Sequence, residues 1–206
     1  MENNFEKKIL ELFLFNKNLK FNEIEKQIKI RSNKLSYHIK NLIKKNILLK
    51  NDDEYSLSKT AEYLIPYLSN KKAILPVLLI HIGDKNNCFL YERKKRPYKD
   101  YLSLPGGRLM LGESIEESSK RIAKEKYNIN ITKIKINSIS LEHIKKSNNK
   151  INSFLLIFIS AKTKDKLSLT PILKNKSKII PSDYLLLNND LDKEIRIKTL
   201  NSRLKE

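Results

Sequence analysis

One stretch constrains the fold more than any other. Leu104-Pro105-Gly106-Gly107-Arg108 runs through Leu109-Met110-Leu111-Gly112-Glu113 into a segment that reads as a helix over residues 115–127. Ser114 and Glu117 have the spacing of a capping box, so the start of that helix is fixed locally. Asn128 tolerates the left-handed conformation almost as well as glycine and marks the stop. Paired glycines let backbone approach a ligand closely and adopt positive φ. A helix beginning just after such a loop offers free N–H groups to an anion. Loop and helix together point to a phosphate-binding element on an α/β scaffold.

The spacing resembles a known motif. Gly107, Glu113, Arg121, Ala123, Glu125 and Ile129 fall without a gap on the Nudix box, G-x5-E-x7-R-E-U-x-E-E-x-G-U with U aliphatic. Residues 88–93 and 98–105 also resemble the family's approach to its box. The resemblance covers about residues 73–206, most strongly 88–129. It implies an α/β/α sandwich with a mixed sheet. It also implies glutamates that hold Mg²⁺ or Mn²⁺ against a diphosphate and help activate water. Two departures matter. Ile122 stands for the Glu after the Arg, and Lys126 for the second Glu of the pair. Ile122 offers no oxygen, whereas magnesium wants near-octahedral oxygen ligation. An ammonium about 4 Å from a divalent ion is repelled by about 8 kcal/mol at an effective dielectric of 20. Glu125 and Glu113 are the remnants of the catalytic set. Glu117 is too far along the helix to share an ion with Glu125, and the sequence does not place Glu142. The expected ligand-binding residues are Gly106, Gly107, Arg108, Arg121, Glu125 and Lys126, with no metal assigned. Two readings of Lys126 stay open: its ammonium swings out to solvent, or it replaces the missing metal and holds phosphate as a point charge.

Upstream the pattern changes. Phe5, Ile9, Leu12 and Phe13 recur at helical spacing, and Phe21, Ile24 and Ile28 mark a second helix. Ser32 is read as the N-cap of a third, whose apolar face is Leu35, Ile39, Leu42 and Ile43 and whose stop is Asn46. A hairpin follows with the turn Asn51-Asp52-Asp53-Glu54. Ser58 would cap a last helix over Ala61, Leu64 and Ile65, ended by Pro66. This order resembles a winged helix-turn-helix domain. The resemblance implies DNA binding through Asn33, Lys34, Ser36, Tyr37, Lys40, Asn41 and Lys44. These types suit phosphate and base-edge contact. The acidic tip Asp52-Asp53-Glu54 would be repelled by phosphate, and His38 reads as a packing residue. Two domains are expected, 1–69 and 72–206, with a polar break at residues 69–72. Downstream of that break, strands are expected over 74–82, 88–93, 134–142 and 153–161, with a further piece at 179–180 and a helix over 191–200.

The net charge of +19 favours anionic partners. It is unevenly placed: residues 1–70 hold 13 Lys/Arg and 9 Asp/Glu, and residues 71–206 hold 29 and 14. The half with the DNA-binding pattern is therefore the less basic one. Lys174, Lys176 and Lys178 read as a solvated loop. No apolar run approaches a membrane span. The single cysteine, Cys88, lies in an apolar stretch, reads as a core thiol, and fits a cytoplasmic setting. Three functions compete. The first is a DNA-binding transcription regulator whose degenerate Nudix pocket senses a nucleoside-diphosphate-type or other phosphate metabolite without cofactor or catalysis. The second is a Mg²⁺- or Mn²⁺-dependent Nudix hydrolase with an accessory helix-turn-helix domain. The third is a non-catalytic interaction protein. A homodimer is compatible with any of them.

Overall fold

The computed structural model describes residues 4–61, 73–147 and 149–202. It divides between Ala73 and Ile74 into two compact units. The expected break at residues 69–72, and the expected helix beyond Ala61, lie outside the described residues. No helix among the described residues is long and apolar enough to cross a membrane.

The first unit runs α1 (Asn4–Leu12), β1 (Asn18–Lys20), α2 (Phe21–Ile28), α3 (Ser32–Lys44), β2 (Leu48–Asn51) and β3 (Glu54–Leu57). The strands form an antiparallel sheet in the order β1-β3-β2. Three helices closed by a small sheet are the arrangement that the winged-helix resemblance implies. Ile9, Ile24, Leu35, Ile39, Leu42 and Leu48 meet in its core. Each fully buried side chain of this size contributes roughly 1.5–3 kcal/mol. Asn46 takes φ 54° just past α3, where its residue type predicts a stop, and Asp52 takes φ 52° in the hairpin turn. One expected cap is corrected. Arg31 is the N-cap of α3; Ser32 is already helical, and its hydroxyl donates to the Glu25 carboxylate. The Ser58 hydroxyl donates to the Asn46 carbonyl at 2.6 Å and so ties the end of β3 to the end of α3.

The second unit runs β4 (Leu75–Ile82), β5 (Asn87–Cys88), β6 (Tyr91–Glu92), β7 (Leu102–Ser103), β8 (Gly106–Arg108), α4 (Ile115–Tyr127), β9 (Ile131–Lys146), β10 (Asn149–Thr163) and β11 (Thr170–Pro171). A 3₁₀ helix (Leu173–Lys178) and α5 (Pro181–Asn189) complete it. The main sheet has the order β8-β4-β10-β9, with β4 parallel to β10 and the other pairs antiparallel. Strand alternation sorts its side chains. Leu78, Ile80, Ile157 and Ile159 pack with Ile122 and Ala123 of α4. Leu79, Leu156 and Phe158 pack with Leu186 and Leu187 of α5 on the other face. The result is the α/β/α sandwich with a mixed sheet. Cys88 is fully buried, and burial pushes its thiol up to about 12.

Three expectations are corrected here. Residues 88–93 form two short strands that pair with β11 and β7. Residues 179–180 contribute one bridge, Ile179 to Leu102. Residues 191–200 are not helical. The fully buried Asn137 amide donates to the Leu191 and Lys193 carbonyls at 2.6 and 3.1 Å. The Ile195 N–H donates to the Ile136 carbonyl at 2.9 Å, so this segment is held along β9.

Candidate functional site

α4 begins and ends where its sequence dictates. The Ser114 hydroxyl accepts from the Glu117 N–H at 3.2 Å, and the Glu117 carboxylate accepts from the Ser114 N–H at 2.8 Å. Asn128 closes it with φ 55°. Glu113, just before the cap, is clamped. Arg121 Nε and the Ser118 hydroxyl donate to its carboxylate, and Arg121 Nη2 adds a bond of 2.7 Å. The Arg121 bond first, then that of Ser118, holds the Glu113 carboxyl down at about 2. Arg121 Nη2 also donates to the Arg108 carbonyl at 3.1 Å. Arg121 therefore positions the loop and is committed elsewhere than to a ligand. Its Nη1 stands 3.7 Å from the Glu125 carboxylate, whose side chain is 63% exposed.

The glycines serve close approach alone. Among the described residues the glycines with positive φ are Gly83 and Gly112, so the left-handed role expected of Gly106 and Gly107 is corrected. A Cβ on Gly106 would lie 2.8 Å from the Leu78 carbonyl oxygen. A Cβ on Gly107 would lie 2.8 Å from Lys126 Nζ and 2.9 Å from Ile122 Cγ1. The glycine strand thus lies on the C-terminal half of α4, roughly 16 Å of helix away from Ile115. The anion-binding role expected of the N-terminus of α4 is corrected too. The Glu117 N–H there is used by the cap, and Glu116 and Glu117 would repel an anion.

The cationic end is the other one. Lys126 is an exposed residue whose Nζ donates to the Gly106 carbonyl at 2.8 Å. Burial lowers its pKa, and the charges of Arg121, Lys95, Arg93 and Arg108 lower it further, in that order. Lys126 therefore feels the positive charge of four other side chains, of which Arg121 is itself paired with Glu113. Such mutual repulsion is relieved by a bound anion. Arg93, Lys95 and Tyr127 were not assigned from sequence. Arg93 and Lys95 stand in the run Arg93-Lys94-Lys95-Arg96, but nothing in that run says which members face the loop. The Tyr127 hydroxyl lies 3.4 Å from the Gly106 N–H and accepts from it.

These donors do not fit Mg²⁺ or Mn²⁺. Ile122 is fully buried in the core beneath Gly107, Lys126 brings a positive charge, and Glu113 is already bound by Arg121. Glu142 sits on the sheet face that packs α5, lining a cavity with Leu79 and Asp183. Among the described residues no three His, Cys, Asp or Glu are grouped to hold a metal.

In the first unit, α3 buries Leu35, His38, Ile39 and Leu42. Asn33, Lys34, Tyr37, Lys40 and Lys44 are exposed, and Ser36 and Asn41 are half-buried. Asn33, Tyr37, Lys40 and Lys44 follow one another at helical spacing and share a face. Lys34 leaves that face, since its ammonium lies 3.9 Å from the centroid of the Phe5 ring. His38 packs between Phe5 and Tyr37, with Nδ1 4.0 Å from the Glu6 carboxylate.

No family model matches the chain, and no curated protein matches it. Solved structures do. The MutT protein from Bacillus halodurans is 18% identical over 57% of this chain and 84% of its own, with a TM-score of 0.45. The NUDIX domain of Shewanella oneidensis NrtR, solved with ADP ribose, is 19% identical over 60% and 92%, also at 0.45. A MutT NUDIX hydrolase from Burkholderia pseudomallei is 15% identical over 56% and 97%, at 0.48. At such identities and TM-scores these likenesses carry no argument about what the site does. The second unit is an α/β/α sandwich with a mixed sheet, and the Glu113–Arg121 clamp ties its loop to α4.

Proposed function

We propose that this chain is a DNA-binding regulator whose second unit holds a phosphate-bearing metabolite of the nucleoside-diphosphate type without hydrolysing it. The observation that carries this reading is Lys126. Its ammonium lies against Gly106 and Gly107 at a position where the resemblance implies a metal-binding carboxylate. An ammonium has three donors, and the bond to Gly106 leaves two for phosphate oxygens. Arg93, Lys95 and Arg108 add charge around it. A buried Ile122 supplies no base to activate water. Binding without turnover suits a sensor. For DNA, support comes from the exposed polar stripe of α3 and from the two-unit organisation. The acidic hairpin tip makes α3, and not the wing, the reading element.

The test is a chromatographic assay of nucleotide products released by diphosphate-bond cleavage, on the purified chain with ADP-ribose, dinucleoside polyphosphates and nucleoside triphosphates in Mg²⁺ or Mn²⁺. It is paired with DNA binding in the presence and absence of the compound that binds. Release at background level with a ligand-dependent change in DNA affinity is the expected result. Turnover in the usual enzyme range of about 1–10³ s⁻¹ contradicts it and favours a hydrolase.

A further inference from the structure

A cationic recess lies at the ends of β4 and β10, where the strands run past α5. Leu79 and Phe158 pack on α5, and the recess begins after them, bordered by Leu191 and Asp192. Ile80, Ile82, Ile159 and Ala161 pack with α4, so strand alternation turns His81, Ser160 and Lys162 away from that helix. The recess measures about 390 Å³, and Lys85, Lys133, Lys135 and Lys162 line it together with His81. Its carboxylates are already used. Asp84 Oδ1 accepts from the Asn86 and Asn87 N–H groups at 2.7 and 2.8 Å. Asp192 pairs with Lys85 at 2.7 Å. Lys133, Lys135 and Lys162 make no ion pair among the described residues, and Lys135 is half-buried.

Two local features shape the recess. β9 is bulged here: Lys162 pairs with Thr132 and Ser160 with Lys135, so Lys133 and Ile134 both stand opposite Ala161. Lys133 takes φ 49° in that bulge, a strained conformation for a lysine. Bulges re-aim side chains, and this one sets Lys133 beside Lys135 and Lys162. The second feature is His81, only 3% exposed. Its Nε2 lies 3.1 Å from the Asp84 carbonyl, which can only accept, so Nε2 carries the proton. Burial lowers the His81 pKa and the Lys162 charge lowers it further, against the Asp84 carbonyl bond, so the ring is neutral at neutral pH. Nδ1 is then an acceptor, and it has no partner among the described residues.

We propose that this recess binds inorganic phosphate, with Lys133, Lys135 and Lys162 as donors to its charged oxygens and His81 Nδ1 as the acceptor of its remaining proton. Lysines hold phosphate as point charges. Inorganic phosphate offers negative oxygens and, above neutral pH, still one O–H. Sulfate carries the charge without the O–H. A phosphate monoester loses its last proton with a pKa of about 6, and a nucleic-acid backbone diester has none to give. A buried acceptor left without its donor costs affinity, so His81 separates ions of like charge. The site is independent of the function proposed above, since Lys126 belongs to α4 and packs on the other side of the sheet.

Calorimetry on the full chain carrying Lys126→Ala, which removes the ammonium beside Gly106, reads this recess by itself. The probes are sodium phosphate, sodium sulfate and glycerol phosphate at about pH 8, where the ring is neutral. Phosphate is expected to bind at least about tenfold more tightly than sulfate or the monoester. Lys135→Ala and Lys162→Ala should each weaken phosphate by at least about threefold. His81→Phe should erase the preference over sulfate while leaving sulfate affinity within about twofold. If that variant loses its cooperative melt, the comparison of ions and the two lysine variants decide by themselves. Equal affinity for phosphate and sulfate, no phosphate binding in the millimolar range, or phosphate binding indifferent to both lysine variants overturns the proposal.

Discussion

At the scale of single residues, the site is decided by what lies under Gly107. Lys126 Nζ and Ile122 Cγ1 already occupy the space of a Cβ, at 2.8 and 2.9 Å. Gly107→Ala should therefore cost about 1–3 kcal/mol by overpacking, read as a lower denaturant midpoint at unchanged slope. Ile122→Ala should cost about 2–5 kcal/mol, because the side chain is fully buried. Replacing Ile122 and Lys126 together by Glu, a change that sequence alone would expect to restore metal binding, puts a carboxylate into that core. The expected outcome is a lower Tm before any gain in metal affinity. Asp183 supplies a pH dependence. Burial is the largest cause that raises its carboxyl to about 7 from 3.8. The folded state then binds a proton that the unfolded chain has released, so this contribution is full below about 3.8 and is lost as pH rises through about 7. Stability should fall between about pH 4 and 7 and level off above that, with Arg93 and Glu142 facing the same carboxyl. Asp183→Asn should flatten that fall, and an unchanged profile would assign the pH dependence to other groups.

At the scale of elements, legibility followed how local the cause is. α4 was readable to the residue because its cap, period and stop are all written within residues 114–128. The long strands were readable as apolar stretches, although β9 and β10 run further into their hairpin than those stretches indicate. β1 spans three residues, too short for a period, and exists because β3 offers it an edge. α5 was missed because Leu185-Leu186-Leu187 shows no single face; its start is set by Pro181 and its place by the sheet. Residues 191–200 carry a helix-like spacing of Leu191, Ile195, Ile197 and Leu200. Tertiary hydrogen bonds to Asn137 and Ile136 outweigh it. For the site, the box residues were legible and their partners were not. Arg93 and Lys95 come from a distant segment that only the fold brings to the box. α3 gives the prediction at this scale. Lys40→Ala and Lys44→Ala should each lower DNA affinity across sequences and reduce the salt slope by about one unit. Changes at Asn33 or Ser36 should alter sequence preference instead. A salt slope unmoved by both lysine variants would take α3 off the backbone.

At the scale of the whole molecule, charge and role are distributed in opposite senses. The unit with the DNA-binding pattern has nearly balanced charge over residues 1–70, while the other 29 of the 42 Lys and Arg lie in residues 71–206. Part of that excess has a local use around Lys126. On the function proposed above, a ligand that neutralises it lowers the positive field of the more basic unit, and DNA affinity should fall or rise with occupancy. The reciprocal effect must then exist, with DNA shifting ligand affinity by the same factor. The central claim is that Lys126 stands in for a metal. Titration of wild-type protein and Lys126→Ala with pyrophosphate and with nucleoside diphosphates, each in Mg²⁺ and in EDTA, tests it most directly. Binding that persists in EDTA and is lost on Lys126→Ala is the expected result; binding that requires Mg²⁺, or that is indifferent to the substitution, contradicts it.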